Sequence, residues 1–137
     1  MEDCIFCKIV KGEIPCHKIY EDNNVFVFLD ANPLVSGHCL AIPRKHFENI
    51  FDIDKNVMAE IVETTRKLAK KMKNNLGVTG VDLVSASGRD ADQSVFHFHL
   101  HIIPRRENDG LTMNDWWRSK MVKQSQEDIN ELIEKLK

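Results

Sequence analysis

At 137 residues, with 42% apolar and 29% charged side chains, the chain has room for one domain with a sizeable core and too little for two. Its formal net charge of -2 excludes a globally basic field, so neither a nucleic-acid backbone nor an anionic membrane is an expected partner. No apolar run reaches membrane-spanning length, and Met1-Glu2-Asp3-Cys4 lacks the apolar stretch of a secretory signal. Four cysteines in such a chain suggest thiols or metal ligands more than disulfides, and a cytoplasmic protein is the expectation.

Along the chain, Ile5, Phe6, Ile9 and Val10 sit at helical offsets and predict one or two turns over Cys4 to Gly12. Two β-rich runs follow, His17 to Glu21 and Val25 to Asp30, joined by the hairpin-turn residues Asp22-Asn23-Asn24. Pro33 and Gly37 punctuate a loop before a third strand, His38 to Pro43. A helix begins near Asp52 or Asp54, either of which suits its N-cap. Its apolar stripe is Val57, Met58, Ile61, Val62, Leu68, Ala69 and Met72, and Gly77 stops it. A fourth strand, Val81 to Ala86, leads through the polar loop Ser87 to Ser94 into His97-Phe98-His99-Leu100-His101. A last helix is signalled by Ser125 and Asp128 as a capping pair and by Ile129, Leu132, Ile133 and Leu136 as one stripe. Strands in hairpin-like succession with an inserted helix predict an α+β domain on an antiparallel sheet, spanning residues 1–137 with a C-terminal extension from about residue 106.

The histidine run carries the chemistry. In a strand, alternate side chains share a face, so His97, His99 and His101 line one side about 6.5 to 7 Å apart. Phe96, Phe98, Leu100 and Ile102 would anchor the other. Three ionisable rings on one face suit a site better than a core, because each needs a polar partner. A neutral imidazole with one nitrogen tied down attacks phosphorus through the other. A flanking imidazole can then hold phosphate oxygens or protonate a leaving group. Gln93 and Ser94, just ahead, offer side-chain or backbone donors to a phosphoryl oxygen. Cys4-x-x-Cys7 reads as half a zinc site, as spare buried thiols or as a redox pair; histidines are the natural further ligands for zinc, and spacing does not choose among the six. Asp30 could bind paired hydroxyls or be a strand-end turn residue. Trp116-Trp117 cannot easily both face one core, so at least one suits an interface or a ligand.

With those residues in view, the chain resembles the histidine-triad nucleotide-binding family, in its Hint-like branch with an N-terminal zinc motif, from about Cys4 to Arg105. The signature His-φ-His-φ-His-φ-φ is matched by His97-Phe98-His99-Leu100-His101-Ile102-Ile103. Further matches are Cys4-Ile5-Phe6-Cys7-Lys8-Ile9, Gly12-Glu13-Ile14-Pro15, Leu29-Asp30, the run from Gly37 to His46, and Gln93-Ser94-Val95-Phe96. The resemblance implies a five-stranded antiparallel sheet with a long central helix and a C-terminal helix. It also implies a homodimer whose sheets pair into ten strands.

For the site, the resemblance implies purine-nucleotide binding and attack on the α-phosphate by His99, through a nucleotidyl-histidine intermediate. His101 would touch phosphate oxygens and, with Ser94, favour departure of the leaving group; His38 would support them. Asp30 would bind ribose hydroxyls, Gln93 and Ser94 would lie at the phosphates, and Ile5, Phe6, Ile9, Phe28 and Leu40 would form the base slot. The same likeness assigns a structural zinc to Cys4, Cys7, His46 and His97. Two positions depart from the family pattern: Ala86 stands where many members have Asn or Gln, and Asp92 stands where a glycine is usual. The expected activity is hydrolysis of nucleoside phosphoramidates or adenylyl conjugates. The alternatives are dinucleoside polyphosphate hydrolysis, a purine-nucleotide-binding regulatory dimer with little turnover, and a zinc-stabilised partner module.

Overall fold

A computed structural model describes residues 3–137. It forms an α+β fold: α1 (Ile5–Val10), β1 (Lys18–Glu21), β2 (Val25–Leu29), β3 (Cys39–Pro43), α2 (Lys55–Leu76), β4 (Gly80–Val84), β5 (Leu100–Arg105), α3 (Asn114–Lys120) and α4 (Gln126–Leu136). The five strands make one antiparallel sheet in the order β1-β2-β3-β5-β4. The two-residue period of a strand explains how this sheet is covered on both faces. Val25, Val27, Cys39 and Ala41 point to the α2 side, where they pack with Ile61, Met72, Val78, Phe98 and Ile102. Phe26, Phe28, Leu40 and Ile42 alternate with them and pack on the α1 side with Phe6 and Ile9. Burial on both faces is why β2 and β3 read as nearly continuous apolar runs.

Local chemistry sets the helix ends. Asp54, not Asp52, caps α2, accepting from the backbone N–H groups of Asn56 and Val57. Asp52 instead accepts from the N–H groups of Glu48 and Asn49, one turn earlier. Gly77, at φ 67°, closes α2 in the left-handed conformation that glycine adopts without strain. The buried face of α2 departs from the predicted stripe. Val62 is 49% exposed, whereas Thr65 is buried with its hydroxyl donating to the Ile61 carbonyl. An internal bond of this kind lets a threonine into the core.

The histidine segment departs from a simple strand. The ladder starts only at Leu100, and β4 is paired over Gly80–Val84 without reaching Ala86. His97, Phe98 and His99 nevertheless keep the predicted alternation, because Phe98 N–H bonds to the Phe47 carbonyl (2.7 Å) and its ring sits in the α2-side core. Replacing Phe98 by Ala would cost about 3–5 kcal/mol by the usual cavity penalty. Phe96 does not share that core. It is 43% exposed, because the chain has turned out of the sheet before it enters the histidine run.

Beyond β5, Arg105 grips Asp109 through Nε and Nη2 (2.7 and 2.9 Å) and Asp82 through Nη1 (2.6 Å). The guanidinium holds the Asp109 carboxyl far below the usual carboxylate range. This clamp fixes the root of the C-terminal extension on the β4–β5 end. The extension contains α3, which the sequence analysis did not predict, and α4, capped by Ser125 as predicted. No residue of α3 or α4 is buried.

Candidate active site and metal centre

Two neighbouring groups of side chains occupy the α1 side, and each is built from backbone outward. At the first, Cys4 is the N-cap of α1, its Sγ accepting the Cys7 N–H at 3.4 Å, so one helical turn brings both sulfurs together. His97 is delivered by the segment held at Phe47. Its Nε2 lies 2.8 Å from the Pro43 carbonyl, which can only accept, so Nε2 carries the proton and Nδ1 keeps a lone pair. That Nδ1 lies 3.3 Å from Cys4 Sγ and 3.5 Å from Cys7 Sγ, and His46 Nδ1 lies 3.4 Å from Cys7 Sγ. All four donor atoms fall within 4.8 Å of one another. Tetrahedral zinc, with bonds of about 2.3 Å to sulfur and about 2.0–2.1 Å to nitrogen, spaces its ligands about 3.5 Å apart, so the residues fit such an ion. Burial pushes His97 down to about 4 and also lowers His46, so both rings are neutral. Burial first, and the neighbouring Cys4 second, raise the Cys7 thiol; a metal would have to displace thiol protons to bind.

At the second group the hydrogen-bond chain again assigns every proton. His99 Nδ1 lies 2.8 Å from the His97 carbonyl and must donate to it, which leaves the Nε2 lone pair free for chemistry. The His99 ring is buried edge-on to Phe6 (5.2 Å between centroids) and beside His101 (5.1 Å). Leu34 N–H donates to His38 Nδ1 (3.0 Å), so His38 carries its proton on Nε2 and gives it to His101 Nδ1 (2.9 Å). His101 therefore keeps its own proton on Nε2. Asp30 Oδ2 is 3.5 Å from His38 Nε2 and 3.9 Å from His101 Nδ1, while its Oδ1 accepts from Asn32 N–H. Burial lowers His38 against the pull of Asp30; burial, then the His99 and His38 charges, lower His101. Neutral rings with fixed tautomers are what a nucleophile and a neighbouring donor require.

Asp30, His38 and His101 also stand close enough for a metal, as do the four residues of the first group, and these are the two such groups among the described residues. Their hydrogen bonds argue against one here. A metal on His38 Nε2 would push that proton to Nδ1, where the Leu34 N–H already points. This cluster holds a proton.

The loop ahead of the histidines is organised by Gln93, which is 6% exposed. Its Oε1 accepts from Gly88 N–H and Asn49 Nδ2, its Nε2 donates to the Glu48 and Val95 carbonyls, and its N–H donates to Gly88. These bonds use every Gln93 donor, so the residue shapes the loop rather than presenting an amide to a phosphate. Ser94 is exposed, and Ser87 Oγ accepts from Ile50 N–H. Asp92 has φ 63°, the left-handed conformation that accounts for the glycine usual at that position. Of the residues expected at the base slot, Phe6, Ile9, Phe28 and Leu40 are buried together, and Ile5 is 46% exposed and outside that cluster.

Sequence reasoning missed Ser85, whose hydroxyl donates to the His99 carbonyl (2.8 Å), and Asn49, buried against Gln93. It also missed the accepting carbonyls of Pro43 and Phe47 and the donating Leu34 N–H. Backbone groups carry no residue-type signal, and a lone Ser or Asn outside a motif carries little.

The family profile of the HIT domain matches residues 11–108, and the chain belongs to that family. The relative named adenylylsulfatase HINT3, from Arabidopsis thaliana, is 37% identical over 91% of this chain and 64% of its own length. The crystal structure of SMU.412c from Streptococcus mutans superposes with a TM-score of 0.86, at 31% identity, over 99% of this chain and 84% of that one. A zinc-bound histidine triad family protein from Mycobacterium smegmatis gives 0.78, at 36% identity, over 81% of each chain. No helix of the described residues is long and apolar enough to cross a membrane.

Proposed function

We propose that the protein hydrolyses nucleoside phosphoramidates or adenylyl conjugates at the α-phosphate, with His99 as nucleophile. One observation carries this reading: the bond from His99 Nδ1 to the His97 carbonyl leaves Nε2 unprotonated, beside a His101 ring whose proton is held on Nε2. His99 Nε2 forms a P–N bond as the bond from phosphorus to the leaving group breaks. The leaving group takes a proton from the site, with Ser94 and His101 as donors, and Asp30 accepts from ribose hydroxyls. Water then cleaves the P–N bond, releasing a nucleoside monophosphate and restoring His99. Zinc on Cys4, Cys7, His46 and His97 would be structural, since four protein ligands leave no open position. Ile5 would border the purine.

A homodimer is part of this reading. β4 is a sheet edge with Leu83 (52% exposed) and Val84 (40%) on view, so a second copy pairing there would hide apolar surface and complete a ten-stranded sheet. β1, the other edge, also exposes Ile19 and Tyr20 (46% and 42%), but it carries Lys18 and Glu21 and a register irregularity, both of which deter pairing.

The test is turnover of adenosine phosphoramidate and of a diadenosine polyphosphate by wild type and His99→Ala. We expect the phosphoramidate to be preferred, an adenylyl adduct on His99 by mass spectrometry, and a loss of at least about 10³-fold in the variant. Equal rates from both proteins would remove His99 as nucleophile. Tight purine-nucleotide binding without turnover would favour the regulatory dimer, a reading to which the Asp92 carboxylate in the phosphate-side loop lends support.

A further inference from the structure

We propose that Ser85 is a positioning residue for the nucleophile: its hydroxyl holds the His99 peptide so that the ring keeps its proton on Nδ1 and its lone pair on Nε2. The inference rests on the role proposed above for His99 and goes one step behind it, to what aims the ring. Ser85 Oγ donates to the His99 carbonyl at 2.8 Å, from a strand 14 residues away along the chain.

The histidine segment needs such a hold because the sheet ladders stop short of it. β4 pairs with β5 from Gly80 opposite Arg105 to Val84 opposite His101, and ends there. On the other side of β5, pairing with β3 ends where Ala41 lies opposite Leu100. Two further steps of the β4 register would set Ala86 opposite His99, in position to pair through the backbone. The chain instead leaves the sheet at Ser85, and the serine hydroxyl takes the acceptor that the ladder gives up. Just beyond, Ser87 Oγ accepts the Ile50 N–H, which draws the chain toward the turn at residues 47–53.

Three hydrogen bonds then define where the His99 ring stands. Phe98 N–H donates to the Phe47 carbonyl (2.7 Å), and His99 Nδ1 donates to the His97 carbonyl (2.8 Å). Both act at the ring or before it, whereas Ser85 fixes the peptide group that follows it. The torsions on either side of the His99 Cα aim its Cβ, and so decide whether Nδ1 meets the His97 carbonyl two residues back. Without the Ser85 hydroxyl that peptide can rock. The loosened Nδ1 bond then admits the other tautomer, whose Nε2 proton blocks attack. A displacement of about 1 Å at a reacting atom can cost about 10²-fold in rate, so a small loss of aim is measurable. Ser85 is itself exposed, so trimming it to alanine opens no cavity in the core. Aim, more than stability, is what this bond supplies.

The experiment compares the full-length, zinc-loaded wild type with Ser85→Ala and Ser85→Thr. Turnover of adenosine phosphoramidate gives kcat and KM, and imidazole nitrogen NMR at alkaline pH reports the His99 tautomer with no substrate present. Ser85→Ala should lower kcat about tenfold, with KM within about twofold and the thermal midpoint within about 2 °C of wild type. Its His99 resonances should move from the Nδ1–H pattern toward a mixture of tautomers. Ser85→Thr keeps a hydroxyl, and should return kcat to within about twofold of wild type and restore the wild-type spectrum. A His99 tautomer unchanged in Ser85→Ala would overturn the assignment whatever the rate, because a merely structural bond could slow the enzyme by softening the fold. An unchanged kcat, or a threonine variant as slow as the alanine one, would overturn it as well. A wild type that turns over neither this substrate nor a diadenosine polyphosphate would reject the proposed function. The His99 spectra would then decide the role of Ser85 alone, since they need no turnover.

Discussion

Cys4, Cys7, His46 and His97 on one hand, and Asp30, His38 and His101 on the other, are two clusters of potential ligands on one face of one sheet. Composition alone would let either hold a metal. The difference lies in the nitrogen that faces away. At His97 the Pro43 carbonyl takes the far-side proton, so a lone pair points at the sulfurs. At His38 the Leu34 N–H occupies the far-side lone pair, so a proton points at His101. One backbone acceptor and one backbone donor, each beyond the cluster, decide whether it suits a cation or a proton.

The largest effect that would break this comparison is loss of the metal. Cys4→Ser should abolish stoichiometric zinc and cost several kcal/mol of stability, read by metal analysis and thermal melting. His38→Ala should leave one zinc per chain. A metal content that depended on His38 would reverse the assignment of the two clusters. The same His38→Ala change should lower kcat about tenfold to a hundredfold, because His101 loses the group that fixes its tautomer.

A smaller effect is pH dependence. Burial lowers His38 and His101 in the folded chain, so the unfolded chain binds these protons more readily. Their contribution to stability is therefore complete above the unfolded value of about 6.5 and drains away as pH falls below it. Thermal midpoints between pH 7 and 5 should fall in wild type, and fall less steeply in His38→Gln. A slope unchanged by that substitution would mean that His38 does not titrate on unfolding. The smallest effect is at Asp92: Asp92→Gly relieves a left-handed backbone worth about 1 kcal/mol and should raise the thermal midpoint by about 3 °C. It should also lower KM for an anionic substrate, by removing a carboxylate from the phosphate-side loop. No change in KM would place Asp92 outside the substrate's field.

How far the sequence could be read depended on the range of the interaction responsible. β1, β2, β3, α1, α2 and α4 were legible from period and caps, since neighbouring residues determine those signals. Phe96 was misplaced because the chain lies outside the sheet until Leu100, and Val62 because the surface between α2 and β4 is left open. Gln93 was legible as a site-loop residue. That its amide serves Gly88, Asn49, Glu48 and Val95 was not, since those partners lie elsewhere in the chain.

By itself the sequence determined that His97, His99 and His101 would share a face, and that Cys4 and Cys7 would share a helical turn. Both follow from fixed backbone periods acting over a few residues. Tertiary structure decided where His97 and His101 carry their protons, through the Pro43 carbonyl and the His38 ring, which lie 54 and 63 residues away along the chain. An imidazole presents a lone pair or a proton according to how its other nitrogen is claimed, and for these two rings the claimant comes from a distant part of the chain.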